Sequence, residues 1–112
     1  MVFKVYLLAV KAPGITFEEF KKQWDVVHLN MLKDIAGDAY PKNHYHDYPT
    51  QAKGPAETKY DGIGYLEFEN KEAFLRLGAI TGTPENKARI EGHSATFLDV
   101  ERIQMYTVDD GN

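Results

Sequence analysis

The sequence predicts an α+β fold of order β-α-β-β-α-β, and three observations carry that expectation. Residues 2–10, "VFKVYLLAV", are rich in β-formers and apolar on both faces. Residues 17–37, "FEEFKKQWDVVHLNMLKDIAG", repeat their apolar residues at helical spacing. The remaining apolar stretches read as short strands around a second helix. That order is the split βαβ arrangement of ferredoxin-like folds.

In the first strand Phe3, Val5, Leu7 and Ala9 take one face, and Lys4, Tyr6, Leu8 and Val10 the other. Two helices cover only one face of a four-stranded sheet, so the second apolar face needs another cover. The simplest cover is a second copy of the chain, packed sheet to sheet or closed into a joint barrel. A homodimer is therefore expected. "KAPG" turns the chain into the first helix, where Thr16 and Glu19 match a capping box. Phe17, Phe20, Trp24, Val27, Met31 and Ile35 form the apolar stripe of one continuous helix, and Gly37 is its C-terminal stop. His28 lies inside the stripe, four residues beyond Trp24, and is expected to face inward.

Residues 40–49, "YPKNHYHDYP", read as a second strand with Lys42, His44, His46 and Tyr48 on one face. Residues 49–61 form a polar loop long enough to be either functional or mobile. "GIGYLEFE" is a third strand, and Asn70 caps the helix "KEAFLRLGAI". "TGTPENKARIEG" adds a further turn or two, with Thr83 as cap and Pro84 at the first helical position. That helix is expected to stop at Gly92, leaving His93 beyond its end, and residues 97–108 contain the last strand.

A chain of 112 residues is expected to form one domain over 1–112. Its net charge of −4 argues against a nucleic-acid partner, which would need a basic face. The absence of cysteine excludes disulfides, thiolate metal sites and a cysteine nucleophile. The apolar N-terminus is too short to span a bilayer and carries no basic leader, so a cytoplasmic protein with no membrane partner is expected.

"PGITFEEFKKQWDVVHLNMLKDIAG" resembles the first helix of EthD-type dimeric α+β barrel proteins, whose pattern runs Pro-Gly, Phe, Trp or Tyr, then His. "YPKNHYHDYP" and "FLDVERIQMY" resemble the small fungal members found among polyketide biosynthesis enzymes, proposed to decarboxylate, dehydrate or cyclise polyketides. The resemblance covers nearly the whole chain. It implies a homodimer, a pocket between helices and sheet, a polyketide substrate and chemistry without a bound cofactor. His28 matches the helix histidine, His44 the strand histidine after Pro41, and Trp24 the aromatic position that walls the pocket. The fungal members tend to carry arginine where His46 stands and an acidic pair where His93 and Ser94 stand.

A histidine on an apolar helix face is more often a satisfied core residue, and strand histidines are often wet and idle. The resemblance raises His28 and His44 above that reading, as an acid–base pair whose ordinary pKa of about 6.5 suits proton transfer near neutral pH. His46 and His93 complete the expected catalytic set. Trp24, Phe20, Tyr6 and Tyr48 are expected to line the substrate, and Lys42 to hold a carboxylate or enolate. His-x-His can hold a metal, but no spacing singles out a third ligand, so neither metal nor cofactor is expected. Glu67, Asp99 and Glu101 show no spacing that marks a carboxylate pair. The expected activity is a cofactor-independent lyase or cyclase that tailors an aromatic polyketide. The alternatives are a cofactor-free anthrone-type monooxygenase, for which Trp24 and Asn30 lie near His28, and a non-catalytic polyketide-binding protein.

Overall fold

The computed structural model describes residues 2–109 and has four strands, with helices after the first and third. The ends of the expected domain, residues 1 and 110–112, lie outside the described residues. Strand β1 (Phe3–Ala9) pairs antiparallel with both β3 (Gly62–Phe68) and β4 (Gln104–Asp109), and β3 pairs with β2 (Asn43–Asp47). The sheet order is β2-β3-β1-β4, the ferredoxin-like arrangement expected from the chain order. No helix of the described residues is long and apolar enough to cross a membrane.

The first helical stretch departs from one uniform α-helix. It runs as α1 (Phe17–Lys22), a π-helical segment (Gln23–His28) and α2 (Leu29–Ala36), closed by a 3₁₀ turn at Gly37–Ala39. Thr16 accepts the backbone N–H of Glu19 at 3.0 Å, but the other half of the capping box is not made. The Glu19 carboxylate instead accepts from Gln23 Nε2 at 2.6 Å. The wider π turn re-aims the stripe: Phe20, Trp24 and His28 are buried, whereas Val27, expected inside, is 39% exposed.

Two helices follow β3. Asn70 caps α3 (Lys71–Thr81) by accepting the Ala73 N–H at 2.9 Å. Helix α4 (Pro84–Phe97) is far longer than the expected turn or two. Gly92 does not end it, because Phe97, one turn beyond His93, is fully buried against Phe20 and holds the last turn down. Thr83 stands at the cap position, but its hydroxyl donates back to the Ile80 carbonyl. The last strand starts at Gln104 because residues 99–103 are used in a turn tied to Val10.

The long loop is anchored: Gln51 Nε2 and Thr58 Oγ1 both donate to the Pro55 carbonyl, and Arg102 donates to the Glu57 carbonyl. It lines a hollow of about 200 Å³ with Pro49, Tyr60 and Ile63, away from the histidines.

The core divides in two. One half packs Ala9, Phe20, Trp24, Phe97 and Leu98, and the other packs Phe3, Val5, Leu66 and Phe68 under α3. The first half depends on missing side chains. A Cβ on Gly62 would stand 2.4 Å from Trp24 Cζ3, and one on Gly64 3.1 Å from Trp24 Cζ2. The indole therefore lies directly on the bare backbone of β3.

Gly62→Ala is expected to destabilise the fold by about 1–3 kcal/mol, since the indole must move. Gly78→Ala, in α3 with open space around it, is expected to stabilise it by about 0.5–1 kcal/mol. Urea unfolding of the two variants measures both, and equal effects would contradict this seat for Trp24.

Candidate active site: two wired histidine pairs

Three elements deliver the four histidines to the helix side of the sheet. The π-helical segment carries His28, α4 carries His93, and the even-numbered face of β2 carries His44 and His46. His28 Nδ1 lies 2.9 Å from His93 Nδ1, and His44 Nε2 lies 3.1 Å from His46 Nε2. The two pairs are held separately, and charge on His46 or His44 would disfavour protonation of His28.

The neighbours of each pair fix where its protons sit. Asp25 Oδ1 accepts from His46 Nδ1 at 2.8 Å and from the Tyr48 hydroxyl at 2.5 Å. With its hydrogen on Nδ1, His46 accepts at Nε2 from His44 Nε2–H. His44 then accepts at Nδ1 from the Tyr40 hydroxyl, 2.5 Å away. In the second pair Glu19 accepts from Gln23, and Gln23 Oε1 accepts from His93 Nε2 at 2.9 Å. His93 therefore accepts at Nδ1 from His28 Nδ1–H, and the lone pair of His28 Nε2 stays outside this wiring.

Burial keeps these rings neutral. His28 is 7% exposed, and its pKa falls from 6.5 to about 4, mainly by desolvation and next by the fields of His93, His46 and His44. His44 also falls to about 4, by desolvation and then by His46 and Lys33. Burial lowers His46 too, against the upward pull of Asp25, and it lowers His93. Burial raises the Tyr40 hydroxyl to about 12 and raises Tyr48, which Asp25 pushes further in the same direction. A standing imidazolium as general acid, expected from an ordinary pKa, is thus not what the cluster holds near neutral pH.

The remaining expected residues divide. Trp24 stacks on His46 with ring centroids 3.9 Å apart, and Phe20 sits behind it in the core. Tyr48 joins through Asp25 and an edge contact with Trp24. Tyr6 does not join: it lies on the opposite face of the sheet beside Tyr65, because odd and even positions of β1 face apart. Lys42 stands apart from the histidine pairs. It precedes β2, is exposed, and lines a separate cleft with Tyr40.

Four participants escaped the sequence reading: Asp25, Glu19 and Gln23 as hydrogen-bonding partners, and Tyr40 as a specific donor. Asp25 adjoins Trp24 in sequence, but an ordinary α-helix gives no cue that it reaches His46; the π turn does that. Among the described residues no group of three or more His, Asp or Glu side chains is arranged to hold a metal ion.

The chain belongs to the EthD domain family, whose pattern matches residues 12–101. No protein of curated function matches it. Its fold is similar to that of an EthD family protein from Bacillus halodurans, with 14% identity and a TM-score of 0.64 over 98% of this chain and 99% of that one. It is also similar to a protein from Arabidopsis thaliana, with 20% identity and a TM-score of 0.64 over 96% of this chain and 93% of that one. A dimeric ferredoxin-like protein from Thermobifida fusca has 14% identity and a TM-score of 0.60, over 97% of this chain and 91% of that one. At these identities the likeness speaks for the fold.

The depressed histidines set a pH dependence. His28 and His44 titrate near 6.5 when unfolded and near 4 when folded, so between those values the unfolded chain binds more protons. Stability therefore rises with pH across that window, is complete above pH 6.5, and is lost as pH falls through 4. Each histidine contributes a slope of up to about 1.4 kcal/mol per pH unit. Denaturation curves across the window measure it; His28→Gln should flatten the slope, and a flat wild-type profile would contradict buried, neutral rings.

Proposed function

We propose that the protein is a cofactor-independent lyase or cyclase that tailors an aromatic polyketide intermediate by histidine acid–base chemistry. One observation carries the reading. Imidazoles from separate elements meet in a desolvated cluster, hydrogen-bonded so that His28 Nε2 keeps an unused lone pair. The substrate class rests on the likeness of "YPKNHYHDYP" and "FLDVERIQMY" to the fungal polyketide members.

Elimination or aldol closure on a β-hydroxy ketone or β-keto acid starts with loss of an acidic α-proton. His28 Nε2 takes it. The imidazolium that forms donates through Nδ1 to His93, which donates to Gln23, which donates to Glu19. The new charge thus faces a chain of aligned dipoles ending in a carboxylate. A pKa near 4 keeps His28 unprotonated and available at neutral pH, and makes the transient imidazolium a strong acid for the departing hydroxyl. His44 and His46, with hydrogens ordered toward Asp25, supply the second proton-handling group. Trp24, buried and stacked on His46, holds that imidazole in place beside the cluster.

The active form is a homodimer, each protomer one domain over residues 1–112. Tyr45, Tyr65, Tyr6 and Tyr106 are register partners in one row across all four strands, on the face opposite the helices. Tyr45 and Tyr106 are both 54% exposed in the single chain, and Val108 stands beside them. Such a face suits a second copy of itself, and similar structures from Thermobifida fusca and Bacteroides fragilis are dimeric.

His28→Ala and His44→Ala are each expected to lower turnover of candidate β-keto or β-hydroxy-ketone polyketides by about 10²–10⁴-fold. Released carbon dioxide or water identifies a lyase, and oxygen consumption would identify a monooxygenase instead. Full activity in both variants would remove the proposed pair. Tyr106→Glu, at an exposed position, should shift sedimentation toward the monomer while the fold persists; an unchanged dimer would place the interface elsewhere.

A further inference from the structure

The wired pair of β2 has an outer end that the His28 chemistry does not use. Tyr40, which follows the 3₁₀ turn after α2, lines a cleft of about 460 Å³ with Phe68 and Ala73, Lys42 and Arg76. Its hydroxyl is also the first link of the chain through His44 and His46 to Asp25. The Asp25 side chain at the far end is 41% exposed. A file of donors therefore runs from this cleft-lining residue to solvent, every hydrogen pointing toward Asp25. Two acids, Asp38 and Glu69, also border the cleft, and Asp38 already holds Arg76 at 2.7 Å. Lys42 is thus the exposed cation best placed to meet a ligand.

We propose that this cleft binds an enolisable carbonyl compound with a flat apolar body and a carboxylate, and that Tyr40 is its catalytic residue. The volume lies within the range of small-molecule sites. The Tyr40 ring and Ala73 border the flat body, and Lys42 takes the carboxylate. On deprotonation the α-carbon's proton passes to Tyr40 Oη as the tyrosine hydrogen moves to His44 Nδ1. The hydrogen of His44 Nε2 moves to His46 Nε2, and that of His46 Nδ1 moves to Asp25. The C–H electron pair stays on the ligand as an enolate, and Asp25 releases the proton to water. No co-reactant is consumed: the enolate oxygen takes a proton from water to give the enol. In the opposite direction the enol oxygen loses its proton to water while the reverse passage protonates the carbon. Tyr40 never becomes a bare phenolate, which its raised pKa would oppose. The idea deepens the proposed function and rests on the same acid–base cluster, with Asp25 as a positioning residue that orients the whole file.

Phenylpyruvate combines an aromatic ring, a carboxylate and an enolisable carbonyl, and its enol–keto conversion is followed by absorbance. The full-length protein is expected to accelerate that conversion. Tyr40→Phe should lower the rate by about 10²-fold, and Lys42→Ala should raise KM several-fold with kcat little changed. Asp25→Asn should move the His46 hydrogen from Nδ1 to Nε2, read from the ¹⁵N shifts of its ring, and alter the pH–rate profile. Full rate in Tyr40→Phe, no acceleration by the wild type, or phenylpyruvate-induced shifts that avoid the cleft residues would each overturn the proposal. Tyr40-dependent conversion with no polyketide turnover would sustain the relay and sink the polyketide reading. Polyketide turnover that needs His28 and ignores Tyr40 would do the reverse.

Discussion

The indole of Trp24 lying on the bare backbone of Gly62 and Gly64 is the contact on which the site depends. A methyl group at Gly62 would force the ring to move, and one at Gly64 would press against its edge. With the ring seated, the helical stretch comes close enough to the sheet for Trp24 to stack on His46, a neighbour of Gly64 in the β2–β3 register. The same approach brings Asp25 to His46 and Tyr48, and presents His28 to α4. The π-helical segment is part of that arrangement. Its wider turn spreads Gln23, Asp25 and His28 over three directions, toward His93 through the glutamine, toward β2, and into the core.

Bringing four imidazoles together in a dry place creates an electrostatic problem, and the structure resolves it by keeping them neutral. Mutual repulsion and desolvation act in the same direction on His28 and His44, and lower both well below the ordinary histidine range. Neutral rings still need partners for their nitrogens. Two carboxylates at the edge of the cluster, Asp25 and Glu19, order the hydrogens without neutralising any standing charge within it. The consequence is two polarised files that respond when a proton arrives or leaves. A network satisfied in this way is stiff, which favours fixed proton positions over adaptable ones.

Much of the architecture was legible in the sequence because it follows from periodicity. The β-rich run of β1, the Thr16 cap, the Asn70 cap and the stop at Gly37 are local signals, and each lies where expected. The errors have tertiary causes. Gly92 looks like a stop, yet the burial of Phe97 carries α4 past it. Val27 fits the α-helical stripe, yet the π turn exposes it. Tyr6 falls on the far face simply because it is even-numbered on β1, where the core face is odd.

The sequence by itself determined the α+β order, the inward helix histidine and the shared face of His44 and His46, because these depend on repeats of two and of about four residues along one segment. Only the tertiary structure decided that His93 meets His28, that Asp25 governs His46, and that Tyr40 ends a chain of donors. Those pairings join residues as far as 65 positions apart. They require knowing how deeply a helix sinks onto a sheet, and that depth is set by packing between segments, here by two absent side chains under one indole.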